Sequence, residues 1–148
     1  MKKTIIPLVA ALGIFAATAP ARAGYWETAQ YAGAANSNAA WAWTFASLQL
    51  HYAANYGYID WSLIYQAWTA ADAASNLAYE AYWHAPIGSY AEYFSLQAYY
   101  NIAAAADNLW VVYLYGGLMP SYGTNAIVDA FWGQHYLSLA TVASAGRY

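Results

Sequence analysis

The 148-residue chain has 4 basic and 7 acidic side chains, no cysteine, 8 Trp and 17 Tyr, making it 7% charged and 20% aromatic, against about 25% charged for an average soluble domain. So few cations exclude nucleic-acid binding, which needs Lys and Arg to replace counterions along phosphates, and docking on anionic lipid headgroups. Without cysteine a disulfide scaffold is excluded, so stability must come from packing, and the length suffices for one domain with one core.

Lys2-Lys3, an apolar run from Ile5 to Ala17, and Ala21-Arg22-Ala23 with small residues at the cleavage position together read as a secretory signal peptide over residues 1–23. The expected mature chain, residues 24–148, is a single domain with seven acids, one base (Arg147) and no lysine. Export to the extracellular space or cell surface is the expected destination, with the periplasm an alternative. The densest apolar stretch after the signal, Leu109 to Leu118, is too short to span a bilayer.

Breakers at Gly57 with Asp60, at His84 to Ser89 and at Gly116 to Gly123 cut the mature chain into four segments. These are predicted to be helices over 25–56, 60–84, 90–115 and 124–145. The fold class is all-α, and segments of this length with short links predict an up-down-up-down four-helix bundle.

The first helix has Gly33, Asn36, Ser37 and Asn38 near its start, which weaken it, and Trp41, Phe45, Leu48 and Tyr52 on one face. Asp60 caps the second, whose core seam is expected at Leu63, Ala67, Ala70, Ala74, Leu77 and Ala81, away from a polar stripe of Ser62, Gln66, Thr69, Asn76 and Glu80. The third opens on a capping box, Ser89-Tyr90-Ala91-Glu92. Its seam is Ala91, Ala98, Ile102, Ala105, Leu109 and Val112, interrupted by Ser95. Gly116-Gly117 closes it, with Pro120 just beyond. Thr124 or Asn125 caps the fourth, Asp129 lies near its positive end, and Val128, Trp132, Leu139 and Val142 line up. Alanine seams would let helix axes approach closely and send the large rings to the flanks.

Candidate chemistry is sparse. His51 shares a polar stripe with Thr44 and Ser47, and His84 ends the second helix, where an imidazole suits the negative end of the dipole. His135 sits between Trp132 and Leu139 and reads as a core histidine bonded to a tyrosine, or else as a ligand. Glu80 and His84 are four apart and could share a metal, but the Glu-x-x-His spacing of di-iron bundles is absent. There is no His-Glu-x-x-His, phosphate loop or nucleophile elbow. Asp60, Glu92 and Asp129 are explained as capping or first-turn groups. Tyr65, Asp72 and Tyr79 recur every seven residues, the acid reading as a partner of the flanking phenols. The expectation is a protein without a catalytic site, cofactor or metal.

The aromatic surplus is the informative feature. Trp41 and Trp43, like Tyr113 and Tyr115, point about 200° apart on a helix, so some rings must face outward. Tyr and Trp combine apolar area with a polar tip and are enriched at interfaces. Exposed apolar area without lysine to keep molecules apart favours association. The expected function is that of an exported, non-enzymatic structural protein. It self-associates through Tyr- and Trp-rich helix flanks into a fibre, sheet or coat, a homo-oligomer or polymer of itself. Tyr25, Trp26, Trp43, Tyr65, Tyr79, Tyr113 and Tyr148 are the candidate contact rings. The competing reading is a secreted bundle that binds an apolar or aromatic ligand, or a metal or haem near His135. Sugar binding through stacked rings is a third.

Overall fold

The computed structural model describes residues 23–115 and 120–146. The expected signal peptide falls, but for Ala23, outside the described residues, as do Gly116-Gly117, Arg147 and Tyr148. Within them lie four helices and no strand: α1 (Ala23–Tyr56), α2 (Trp61–His84), α3 (Tyr90–Leu114) and α4 (Pro120–Ser144).

Local chemistry sets the helix ends. Gly57, at φ 61°, ends α1: its N–H reaches the Ala53 carbonyl at 3.2 Å and the Tyr58 N–H reaches the Tyr52 carbonyl at 3.4 Å. That left-handed closure satisfies carbonyls the helix leaves open. Asp60 then caps α2, accepting from the Ser62 and Leu63 N–H groups at 2.9 and 3.3 Å. The buried Gln49 side chain ties this turn back to α1 by accepting from the Asp60 N–H at 2.8 Å. Ser89 caps α3 by accepting from the Glu92 N–H at 3.1 Å. The reciprocal arm of the expected capping box lands one residue early. The Ser89 N–H is already bonded to the Pro86 carbonyl at 3.1 Å, so the Glu92 carboxylate takes the Gly88 N–H instead.

One expected feature of the helices is corrected, the start of α4. Gly33 to Asn38 do not interrupt α1. It runs through, and the Ser37 hydroxyl and Asn38 amide donate back to the Gly33 and Ala34 carbonyls at 3.2 and 2.9 Å. Such bonds to the preceding turn satisfy polar groups inside the helix itself. α4 begins at Pro120 rather than at 124. A proline cannot continue a helix, but its fixed φ suits the first helical position, where its missing N–H costs nothing.

α1 packs on α2 and α4, α2 on α3, and α3 on α4, while the diagonal α1–α3 contact is slight. Tyr31, early in α1, stacks on His84 at the end of α2 with ring centroids 5.1 Å apart. Trp61, opening α2, meets Tyr113 near the end of α3. Phe94, early in α3, stacks on Tyr136, late in α4.

The core is alanine. On α1 the buried line is Thr28, Ala32, Ala35, Ala39, Ala42, Ala46 and Gln49; on α2 it is Ile64, Ala67, Ala71, Ala74, Ala78 and Ala81. On α3 it is Ala91, Ser95, Ala98, Ile102, Ala105, Leu109 and Val112, and on α4 it is Ala126, Ala130, Gly133, Leu137, Ala140 and Ser144. In all four the steps alternate between three and four residues, the 3.5-residue period that keeps one seam facing its neighbours when helices supercoil left-handedly.

Only the α3 seam lies where the pattern of large apolar residues puts it. The α2 seam shares Ala67, Ala74 and Ala81 with the expected one, but Leu63, Ala70 and Leu77 are half-buried beside it. In α1 and α4 the expected apolar lines are displaced entirely: Trp41, Leu48, Val128, Trp132 and Val142 are exposed. The reason is steric. A seam of methyl groups lets the backbones come close, and no ring fits between them, so rings are expelled to the flanks. Isoleucine and leucine, at Ile64, Ile102 and Leu137, are the largest side chains that are fully buried.

Ser95 lies fully buried in this seam, and its hydroxyl has no hydrogen-bond partner among the described residues. A buried hydroxyl without a partner costs roughly 1–3 kcal/mol. Ser95→Ala is therefore expected to raise stability by about 1 kcal/mol, read as a higher urea midpoint at unchanged slope.

Candidate functional site

The expelled rings form the most unusual surface of the molecule. Seven of the eight tryptophans are exposed, and the eighth, Trp68, is half-buried. Where neighbouring helices carry rings on facing flanks, these stack across the groove. Between α2 and α3 one ladder joins Trp61, Tyr65, Trp68, Trp110 and Tyr113, with Trp68 and Trp110 at 4.8 Å. Further along the same groove Tyr79 meets Tyr99 at 5.2 Å, with Tyr82, Trp83 and Tyr100 around them. A third group, Phe94, Trp132, His135 and Tyr136, covers the α3–α4 groove. Each ring pair of this kind adds about 0.5–1.5 kcal/mol beyond its buried area, so the ladders clamp helices that alanine alone holds weakly.

The candidate rings are distributed over this surface rather than gathered in one place. Tyr65 and Tyr113 touch at 5.9 Å in the first ladder, and Tyr79 anchors the second. Trp26 and Trp43 are exposed on α1 and contact no other ring among the described residues. Tyr25 is half-buried and packs on Ala85, Ala91 and Ala143 at the end of its own bundle. Tyr148 is outside the described residues. Trp68 and Trp110, the closest ring pair, were not singled out by sequence. Their partnership depends on how far α3 is shifted along α2, although the i, i+4, i+7 spacing of Trp61, Tyr65 and Trp68 marks one flank.

The polar groups are placed as follows. His135 is exposed, not on a core stripe: the seam passes through Gly133 and Leu137, and the imidazole lies edge-on to Trp132 at 5.7 Å. Asp72 is exposed, and its carboxylate receives the Asn76 amide at 3.5 Å rather than a phenol. His84 bridges two carboxylates, with Nδ1 3.2 Å from Glu27 and Nε2 3.8 Å from Glu80, while its face stacks on Tyr31. Both ring nitrogens are turned to carboxylates, so this cluster fastens the start of α1 to the end of α2. Among the described residues no group of three or more His, Asp or Glu side chains converges as a metal site.

The surroundings of Asp129 change its acidity. Partial burial raises it above the ordinary value of 3.8, and the hydrogen bond from the Asn108 amide, at 2.9 Å across the α3–α4 groove, offsets part of that rise. The folded state thus holds this proton more tightly than the unfolded chain. The associated stability is present at low pH and is lost as pH rises through the window just above the ordinary value. Asp129→Asn is expected to flatten the stability–pH curve there, measured by thermal unfolding at a series of pH values.

No helix among the described residues is long and apolar enough to cross a membrane. Comparison with protein-family models, curated proteins and solved structures finds no match.

Proposed function

We propose that this chain is an exported, non-enzymatic structural protein, an up-down-up-down bundle that associates with copies of itself through aromatic helix flanks into an extracellular fibre, sheet or coat. The observation that carries the reading is the inversion of size between core and surface. Alanine fills the interior while seven tryptophans face outward. Exposed apolar area of this kind on a soluble bundle marks a contact surface, and Trp and Tyr are the residues that contribute most to such contacts. The antiparallel ring contacts between successive helices support the up-down order. The Lys2-Lys3 and apolar pattern of the first 23 residues supports export.

The test is light scattering with negative-stain imaging on the untagged chain beginning at Gly24. Growth into regular polymers or sheets as concentration rises is the expected result. A monodisperse particle of one or two chains at high concentration overturns the proposal.

A further inference from the structure

We infer that copies of this chain meet across the side of the bundle formed by α1 and α4, an assignment that rests on the self-association proposed above. The argument begins with charge. Residues 23–146 contain acids but no Lys or Arg, so a carboxylate buried between two copies would find neither among those residues of either copy. Its desolvation would go uncompensated, and like charges across the contact would repel. The contact must therefore avoid carboxylates.

The structure divides its surface on this criterion. The exposed acids Asp72, Glu80 and Asp107 all stand on α2 and α3. α1 carries no charged residue from Thr28 to Tyr56, and α4 none from Ala130 to Ser144. Glu27, at the start of α1, is turned to His84 of α2.

Ring contacts between helices divide the surface the same way: among the described residues they join α2 to α3 and none joins α1 to α4. The rings of the α2–α3 groove already stack on one another within the chain. Trp26 and Trp43 on α1 are exposed with no other ring against them among the described residues, and Phe131 on α4 is exposed with its ring against Trp132 of the same helix. The hydroxyls of Ser37, Ser138 and Thr141 donate to carbonyls of their own helices, so covering this side leaves those donors satisfied. An uncharged side with unstacked indoles and internally bonded hydroxyls is what a second copy of a chain so poor in cations can bury.

The experiment compares four single variants of the chain from Gly24, all at exposed positions, by light scattering against concentration, with circular dichroism to verify helix content. Trp43→Glu and Phe131→Glu place a carboxylate on the α1–α4 side and are expected to raise the concentration needed for association about tenfold or more. Gln66→Glu and Leu114→Glu, at exposed positions of α2 and α3, are expected to change it less than about twofold. The inference is overturned if the wild type assembles and Trp43→Glu and Phe131→Glu leave assembly unchanged, or if Gln66→Glu and Leu114→Glu abolish it instead. A wild-type chain that stays monodisperse overturns the self-association reading itself.

Discussion

Gly133→Ala is expected to destabilise the protein by about 1–3 kcal/mol, the range for overpacking, although alanine is the better helix former by about 1 kcal/mol. A Cβ at position 133 would stand 2.2 Å from Cγ1 and 3.0 Å from Cδ1 of Ile102. Ile102 is fully buried on α3, so it cannot swing into solvent, and α3 and α4 must separate. Gly33 provides the control. It too lies inside a helix, but a Cβ there meets nothing within 4 Å, so Gly33→Ala is expected to stabilise by about 0.5–1 kcal/mol. The same substitution thus has opposite signs at two helical sites, and urea unfolding followed by circular dichroism reads both. In the Gly133→Ala background, Ile102→Ala should cost less than it does alone, by about 1 kcal/mol or more, because the two sites share one volume. Strict additivity of the two changes would show that the glycine is not there to receive the isoleucine.

Ala78→Leu is expected to cost about 3 kcal/mol, at the upper end of overpacking, or to prevent folding outright in a protein whose total stability is of the usual 5–15 kcal/mol order. Area arithmetic gives the opposite sign. A leucine buries more apolar surface, and at about 25 cal/mol per Å² that would be a gain. The geometry decides. Ala78 is fully exposed to its neighbours and not at all to water, in a cluster with Ala32, Ala35, Ala81, Ala98 and Ile102. Close packing of methyl groups leaves no volume for three further carbons. Ala54→Leu, the same change at an exposed position of α1, should stay within about 0.5 kcal/mol of wild type. A stabilised Ala78→Leu variant would mean that the seam contains slack.

What could be read in the sequence follows from how each signal arises. Helix ends depend on short-range chemistry, so Gly57, Asp60 and Ser89 with Glu92 marked them directly. Pro120 did not, because the same residue can follow a helix or open one. The α3 seam was legible because Ile102, Leu109 and Val112 carry the core signal in a register that alanine continues. In α1 and α4 the weighting misled. Tryptophan outranks alanine as an apolar residue, but at seam positions its size excludes it, so Trp41 and Trp132 lie outside; Val142 lies on the same displaced stripe, although valine fits a seam at Val112. His135 was drawn to the core by the same misplaced stripe. At the surface, the surplus of rings over one core face showed that many must be exposed. Which rings meet, such as Trp68 with Trp110 or Tyr31 with His84, depends on the offset between helices, and no local pattern encodes that.

The alternating three-and-four seam has a price in uniqueness. Slide α4 along α3 by seven residues and the three-and-four steps coincide again, so the period by itself does not distinguish the two alignments. Polar groups such as Thr141 and Ser144, bonded to carbonyls of their own helix, travel with the helix and resist no such shift. Ile102 does resist it. Seven residues either way from Gly133 on α4 stand Ala126 and Ala140, each with the Cβ that Ile102 cannot accept. One bulky side chain facing one missing methyl thus acts as a key in a lock, selecting a single alignment from several that the seam's period would permit. Filling the notch should loosen that choice as well as weaken the fold.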